Sequence, residues 1–159
     1  MNLRLLCITI LAIAIPQLSL SADDHGPKKH VVGVFLGLTS GNGHSDKTIG
    51  LEYEYRIDEM FGVGVAVEHI PDAHGGDGAS LFMGQLHLHP WQDLRLTGGY
   101  GREKVHYDGS HAVDVLRLGA AYDFHFDGFG IAPTFNVDWI DGHTSKVFGI
   151  VIKRPLRKA

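Results

Sequence analysis

Charged side chains recur at alternate positions inside runs that are otherwise apolar, and this spacing is the first chemical signal in the sequence. Glu52, Glu54 and Arg56 alternate with Leu51, Tyr53 and Tyr55, and Glu68, Arg95, Arg117, Asp123 and Asp138 fall within similar runs. Residues two apart on an extended chain point to the same side, so these charges share one face and the apolar residues occupy the other. Glu52, Glu54, Glu68, Asp123 and Asp138 oppose Arg95 and Arg117, with Arg56, Glu103 and Lys153 at the ends of the runs. If that face is enclosed, its charges must be paired and hydrogen-bonded, which predicts a salt-bridged plug. The competing chemistry is a narrow cation-preferring pore, since acidic rings favour cations.

Histidine is the second signal. Each stretch between the runs at one end carries at least one: His44, His74, His106 with His111, and His143. Imidazole is a ligand for zinc and copper, so a weak metal site at a converging rim is an expectation, although no His-x-x-x-His spacing fixes its geometry. His87 and His89 lie on the charged face near the opposite end, where His125 could join them, and they fit polar filling better than a metal site. An enzyme needs a nucleophile with a base. Only His143-Thr144-Ser145 suggests one, as an echo of barrel enzymes that deacylate lipopolysaccharide. Lys146 follows where those enzymes carry Asn, so no catalytic residue is expected.

The elements that hold these residues are strands. After His30 no stretch shows helical periodicity for three turns, while strict alternation recurs eight times. The runs are Val31–Leu38, Ile49–Arg56, Phe61–Glu68, Phe82–His89, Leu94–Gly101, Leu116–Phe124, Ile131–Trp139 and Val147–Ile152. Ile57–Met60, Pro90–Asp93 and His125–Gly128 read as tight turns. Ser40–Lys47, Pro71–Ala79, Lys104–Ala112 and Asp141–Lys146 read as longer polar loops at the other end. The expected fold is all-β, an eight-stranded antiparallel up-and-down transmembrane β-barrel, because strands of this length can cross a bilayer at a tilt and closure removes the sheet edges.

Which face meets lipid decides the reading. The apolar face carries no charge in any run. The other mixes small residues such as Gly33, Gly37, Gly62, Gly64, Gly99 and Gly101 with charges of both signs, which suits the crowded interior of an eight-strand barrel. Aromatic residues gather at both ends of the runs. Tyr55, Phe61, Trp91, Phe124, Phe126 and Phe129 lie at one, with Phe82, Tyr100, Trp139 and Phe148 at the other, as in two interfacial girdles. The alternative is a periplasmic soluble barrel that binds an apolar ligand, with the faces exchanged.

Composition agrees with a single domain. A formal charge of −4 gives no electrostatic reason to expect nucleic acid. The lone cysteine, Cys7, rules out an internal disulfide framework. Residues 1–21 read as a cleaved secretory signal, with Arg4 before the apolar stretch Leu5–Ile15 and small residues after it. Residues 22–30 read as a polar leader, 31–153 as the barrel and 154–159 as a basic tail.

With this architecture, and with segments such as Thr48-Ile49-Gly50-Leu51-Glu52-Tyr53-Glu54-Tyr55-Arg56, the chain resembles the small eight-stranded outer-membrane barrels of Gram-negative bacteria, in the style of the OmpA barrel, OmpX and OmpW. The resemblance covers about Val31 to Ile152. It implies residence in the outer membrane after secretion through the inner membrane, contact with outer-membrane lipid and lipopolysaccharide, insertion by the barrel assembly machinery, and a monomer. It also implies a non-enzymatic envelope structural or surface-interaction role with at most limited solute or cation passage, and no required cofactor. Two departures stand out: the chain continues as Lys153-Arg154-Pro155-Leu156-Arg157-Lys158-Ala159 rather than ending on an aromatic residue, and no cell-wall-gripping domain follows.

Overall fold

The computed structural model describes residues 29–41, 43–73, 76–105 and 112–156. Residues 1–21 and most of the leader lie outside them, as do His74, His106 and His111. The described chain is strand throughout apart from its turns. β1 is His30–Gly41, β2 His44–Arg56, β3 Phe61–Ile70, β4 Ala79–Trp91 and β5 Leu94–Val105. β6 is Ala112–Tyr122, β7 Phe124–Phe126, β8 Phe129–Ile140 and β9 His143–Leu156. β6 and β7 form one barrel strand interrupted at Asp123. The neighbours run β6-β5-β4-β3-β2-β1-β9-β8-β7, and a further β6–β8 pairing closes the circle into an eight-stranded antiparallel barrel.

Closure matters physically. The first and last strands pair from His30 with Leu156 to Ser40 with Lys146, so each barrel strand has a neighbour on both sides along its middle, where backbone polar groups are satisfied within the sheet. The expected faces hold along the whole circuit. Leu51 (64% exposed), Leu86 (68%), Leu118 (56%) and Phe135 (40%) point away from the axis, while Glu54, Glu68, Arg95, Arg117 and Asp138 are buried within it. A water-facing surface this apolar would be a severe aggregation liability. A hydrocarbon-facing one requires it.

The connections differ from expectation at the upper end, where Ser40–Lys47 and Asp141–Lys146 are not loops. β1 and β2 stay paired up to Gly41 and His44, and β8 and β9 up to Ile140 and His143. The cause is turn chemistry. Asp141 (φ 44°) and Gly142 (φ 78°) both adopt positive φ, the two-residue hairpin geometry whose twist matches the flanking strands. Polar residues here extend the strands above the apolar band, where alternation of polarity no longer marks them. At the lower end the turns are Ile57–Met60, Gln92–Asp93 and Asp127–Gly128. Asp58 Oδ1 accepts from the Met60 and Phe61 N–H groups at 2.8 and 2.7 Å. The barrel also exceeds its expected limits, because Arg154, Pro155 and Leu156 belong to β9 and pair with Val32, Val31 and His30.

Candidate functional site

The strand pleat projects the charged face into the barrel, and closure stacks it in layers. From the upper to the lower end β6 presents Val115, Arg117, Gly119 and Ala121 inward, and Asp123 follows. The upper layer is mostly apolar, with Leu81, Met83 and Val115 packed together and Ile140 against them, and with Glu103 buried on β5 opposite Leu81. Ile70, Ala73 and Ala79 close the adjoining corner.

Below it lies Arg117, 1% exposed. Its guanidinium donates to both oxygens of Glu68, through Nη1 to Oε1 and through Nη2 to Oε2 at 2.9 Å. It also donates to both oxygens of Asp138, from Nε and Nη2 at 2.7 Å each. One rigid fork thus clamps two carboxylates from β3 and β8, the planar pairing for which arginine is suited. The Phe35 ring packs with Ala121, Ala132, Val147 and Val151. Gly37 and Gly149, paired across β1 and β9, make room for it, since a Cβ on either would run into the ring.

The lower layer is a second ionic cluster. Arg95 Nη1 donates to Glu52 Oε2 at 3.2 Å and lies 3.9 Å from Glu54 Oε2. His89 Nε2 is 2.6 Å from Glu54 Oε1; a carboxylate only accepts, so that nitrogen carries the hydrogen. His87 Nδ1 meets Thr97 Oγ1 at 3.1 Å. Lys153 Nζ stands 2.6 Å from Asp123 Oδ1. Arg56 lies 3.5 Å from Glu54 Oε1 and 3.9 Å from Asp123 Oδ2.

All eight charged residues expected inside are inside, gathered into two clusters rather than one. The upper holds Glu68, Arg117 and Asp138, and the lower holds Glu52, Glu54, Arg56, Arg95 and Asp123 with Lys153. His89 belongs to the lower cluster, a role its alternation suggested only as filling. His125 does not join; it is exposed at the rim, where Nδ1 pairs with Asp93 Oδ1 at 3.3 Å.

Of the expected metal ligands, His44 and His143 open β2 and β9, exposed and separated by β1. The other three fall outside the described residues. Among the described residues no group of three His, Cys, Asp or Glu side chains could hold a metal ion. His143 and Ser145 share a face of β9 and make no hydrogen bond with each other.

Beneath the lower cluster the barrel opens into a cavity of about 400 Å³. Arg56, His89 and Lys153 reach it from above, and Asp58, Glu59, Gln92 and Asp93 line it from the turns.

No protein-family model matches the chain, and no curated protein matches it. Solved structures do. Neisserial surface protein A aligns with a TM-score of 0.58 at 9% identity, over 80% of this chain and 96% of that one. The N-terminal β-barrel domain of Pseudomonas aeruginosa OprF aligns at 0.57 and 12% identity, over 77% and 96%. The Yersinia pestis attachment invasion locus protein Ail aligns at 0.50 and 15% identity, over 79% and 95%. At such identities the likeness is one of fold, and it extends over nearly the full length of each relative. With its apolar face outward and its charges enclosed, the chain has the architecture of the small eight-stranded outer-membrane β-barrels.

Proposed function

We propose that the chain is a non-enzymatic protein of the bacterial outer membrane that acts as a plugged barrel, with an envelope structural or surface-interaction role. The single observation that carries this reading is the pairing of an uncharged outward apolar belt with a filled interior. Strands of 10 to 14 residues, at ~3.3 Å per residue and a tilt near 45°, reach across an apolar band of about 25 Å. Short turns belong on the periplasmic side of such barrels, which places Ile57–Met60, Gln92–Asp93 and Asp127–Gly128 there and the two longer connections outside.

The upper rim suits an anionic lipid surface. Lys47, Arg102, Lys104 and Lys146 all face outward there, above Phe82, Tyr100, Trp139 and Phe148. Arg102 is paired with Asp114 at 3.0 Å. Phosphates of lipopolysaccharide in the outer leaflet would meet this basic collar.

The filled lumen favours a structural or surface role over solute passage. Arg117, Phe35, Met83, Val115, Val147 and Val151 are all fully buried and occupy the levels an ion would have to cross. Planar-bilayer recording on the refolded protein tests this directly. The proposal predicts no stable unitary conductance. A reproducible cation-selective channel abolished by Glu54→Ala would overturn it in favour of a pore.

A further inference from the structure

The ceiling of the lower cavity carries polar atoms without a hydrogen-bond partner. Among the described residues Arg56 Nε is buried without a hydrogen-bond partner, in a side chain that is 24% exposed. Its neighbours Glu54 and Asp123, at 3.5 and 3.9 Å, balance its charge without receiving its N–H groups. His89 is 4% exposed, is held through Nε2 by Glu54, and has no partner at Nδ1. Lys153, 5% exposed, uses one contact on Asp123 and has protons to spare. All three residues line the same cavity. Buried polar atoms in native proteins are satisfied by protein, water or ligand. A space of about 400 Å³ exceeds what one bridging water fills, about 30 Å³, and falls within the range of small-molecule sites, roughly 300–1,000 Å³.

The arrangement of charge narrows the ligand. The ceiling offers the donors of Arg56 and Lys153, with the counter-carboxylates Glu54 and Asp123 outside the lining, while His89, whose hydrogen sits on Nε2, leaves Nδ1 as an acceptor. The rim offers acids: Asp58 and Glu59 both line the opening, and Glu59 makes no ion pair among the described residues. A simple anion would be attracted above and repelled at the entrance, and a simple cation the reverse. A short molecule with an oxyanion at one end and an ammonium at the other satisfies both. The Arg56 fork matches a carboxylate or phosphate bidentately.

We propose that the mouth of the barrel at its tight-turn end is a binding site for a small zwitterion, its oxyanion on Arg56 and Lys153 and its ammonium towards Asp58 and Glu59. Free amino-acid-like molecules and phosphoethanolamine headgroups share this chemistry. The site depends on the barrel's lower cluster and not on what the upper rim contacts.

The test uses chain refolded in detergent micelles, with folding verified by its heat-dependent gel mobility. Glycylglycine, N-acetyl-glycylglycine, glycylglycinamide and phosphoethanolamine are titrated while the amide resonances of Gly128 and Gly130 at the cavity wall are followed. Saturable shifts with glycylglycine, phosphoethanolamine or both support the site, and the pattern identifies the source of the oxyanion. Capping either end of the dipeptide weakens binding at least about tenfold, as does Arg56→Gln, the loss expected for a charge-assisted contact. Glu59→Gln, on the exposed turn and outside the ionic cluster, weakens binding of the zwitterions and not of acetate. Absence of saturable shifts with both zwitterions would overturn the proposal and leave a water-filled mouth. So would undiminished affinity in a folded Arg56→Gln variant.

Discussion

Removing Arg117 while leaving its two acids is the sharpest perturbation this interior allows. Arg117→Met keeps much of the volume but strips four charge-assisted hydrogen bonds and leaves Glu68 and Asp138, 2% and 3% exposed, without their shared cation. Breaking a buried pair by deleting one partner costs about 3–5 kcal/mol, or roughly two to four powers of ten in the unfolding constant. That range is less than a sum over four bonds, because each net bond already discounts what water would supply. Urea unfolding in lipid vesicles, followed by the fluorescence of Trp91 and Trp139, measures the loss. The triple variant Arg117→Met, Glu68→Met, Asp138→Leu removes the whole charge set and should recover most of the stability, since apolar replacement of a buried ionic triad is often neutral or better. The reasoning would be refuted by an Arg117→Met protein within about 1 kcal/mol of the parent, the scale of an exposed pair. It would equally be refuted by a triple variant as weak as the sum of its parts, because then the residues are not energetically coupled.

Three further outcomes follow from the same coordinates. Leu51→Arg places a cation on the outward face midway along β2 and should cost ~2–4 kcal/mol in vesicles, the penalty for arginine at the bilayer midplane; an unchanged unfolding midpoint would argue against lipid there. Gly99→Ala drives a methyl into Met83, whose Cγ would lie 3.1 Å from it, and should cost about 1–3 kcal/mol by overpacking. Shortening the neighbour with Met83→Val should make the double variant less unstable than the two losses added. Gly142→Val puts a β-branched residue at φ 78° and should cost roughly 1–2 kcal/mol, seen as a lower unfolding midpoint, whereas Asp141→Asn in the same turn should be nearly silent.

The sequence revealed the fold through its period of two. Val63, Val65 and Val67 against Gly62, Gly64 and Ala66 leave no choice of face once one side excludes charge, and the structure places both sets accordingly. The charged interior was legible for the same reason, because Glu68, Arg117 and Asp138 all occupy inward phases. Their separation into two clusters was not, since it depends on the stagger between strands that are distant in sequence: Arg117 and Glu68 are 49 residues apart. The ends of strands were the other gap. Above the apolar band both faces of a hairpin are wet, so Thr39, Ser40 and Gly41 with His44, Ser45 and Asp46, and likewise Thr144, Ser145 and Lys146, look like loop while pairing as strand. The break at Asp123 was equally hidden within an uninterrupted alternation. It is marked only by its contacts, with Lys153 on its side chain and Asp93 O accepting its backbone N–H at 2.6 Å.

The direction of the apolar face is the claim on which the account stands, and spin-label accessibility measures it. Cys7 falls in the segment read as a cleaved signal, so the remaining chain carries no competing thiol. Single cysteines at Leu51, Val65, Leu118 and Phe135, labelled and reconstituted in vesicles, should be relaxed strongly by lipid-dissolved oxygen and weakly by a water-soluble nickel chelate. Stronger relaxation by the chelate at these four positions would mean that the outward belt meets water, and would contradict the account.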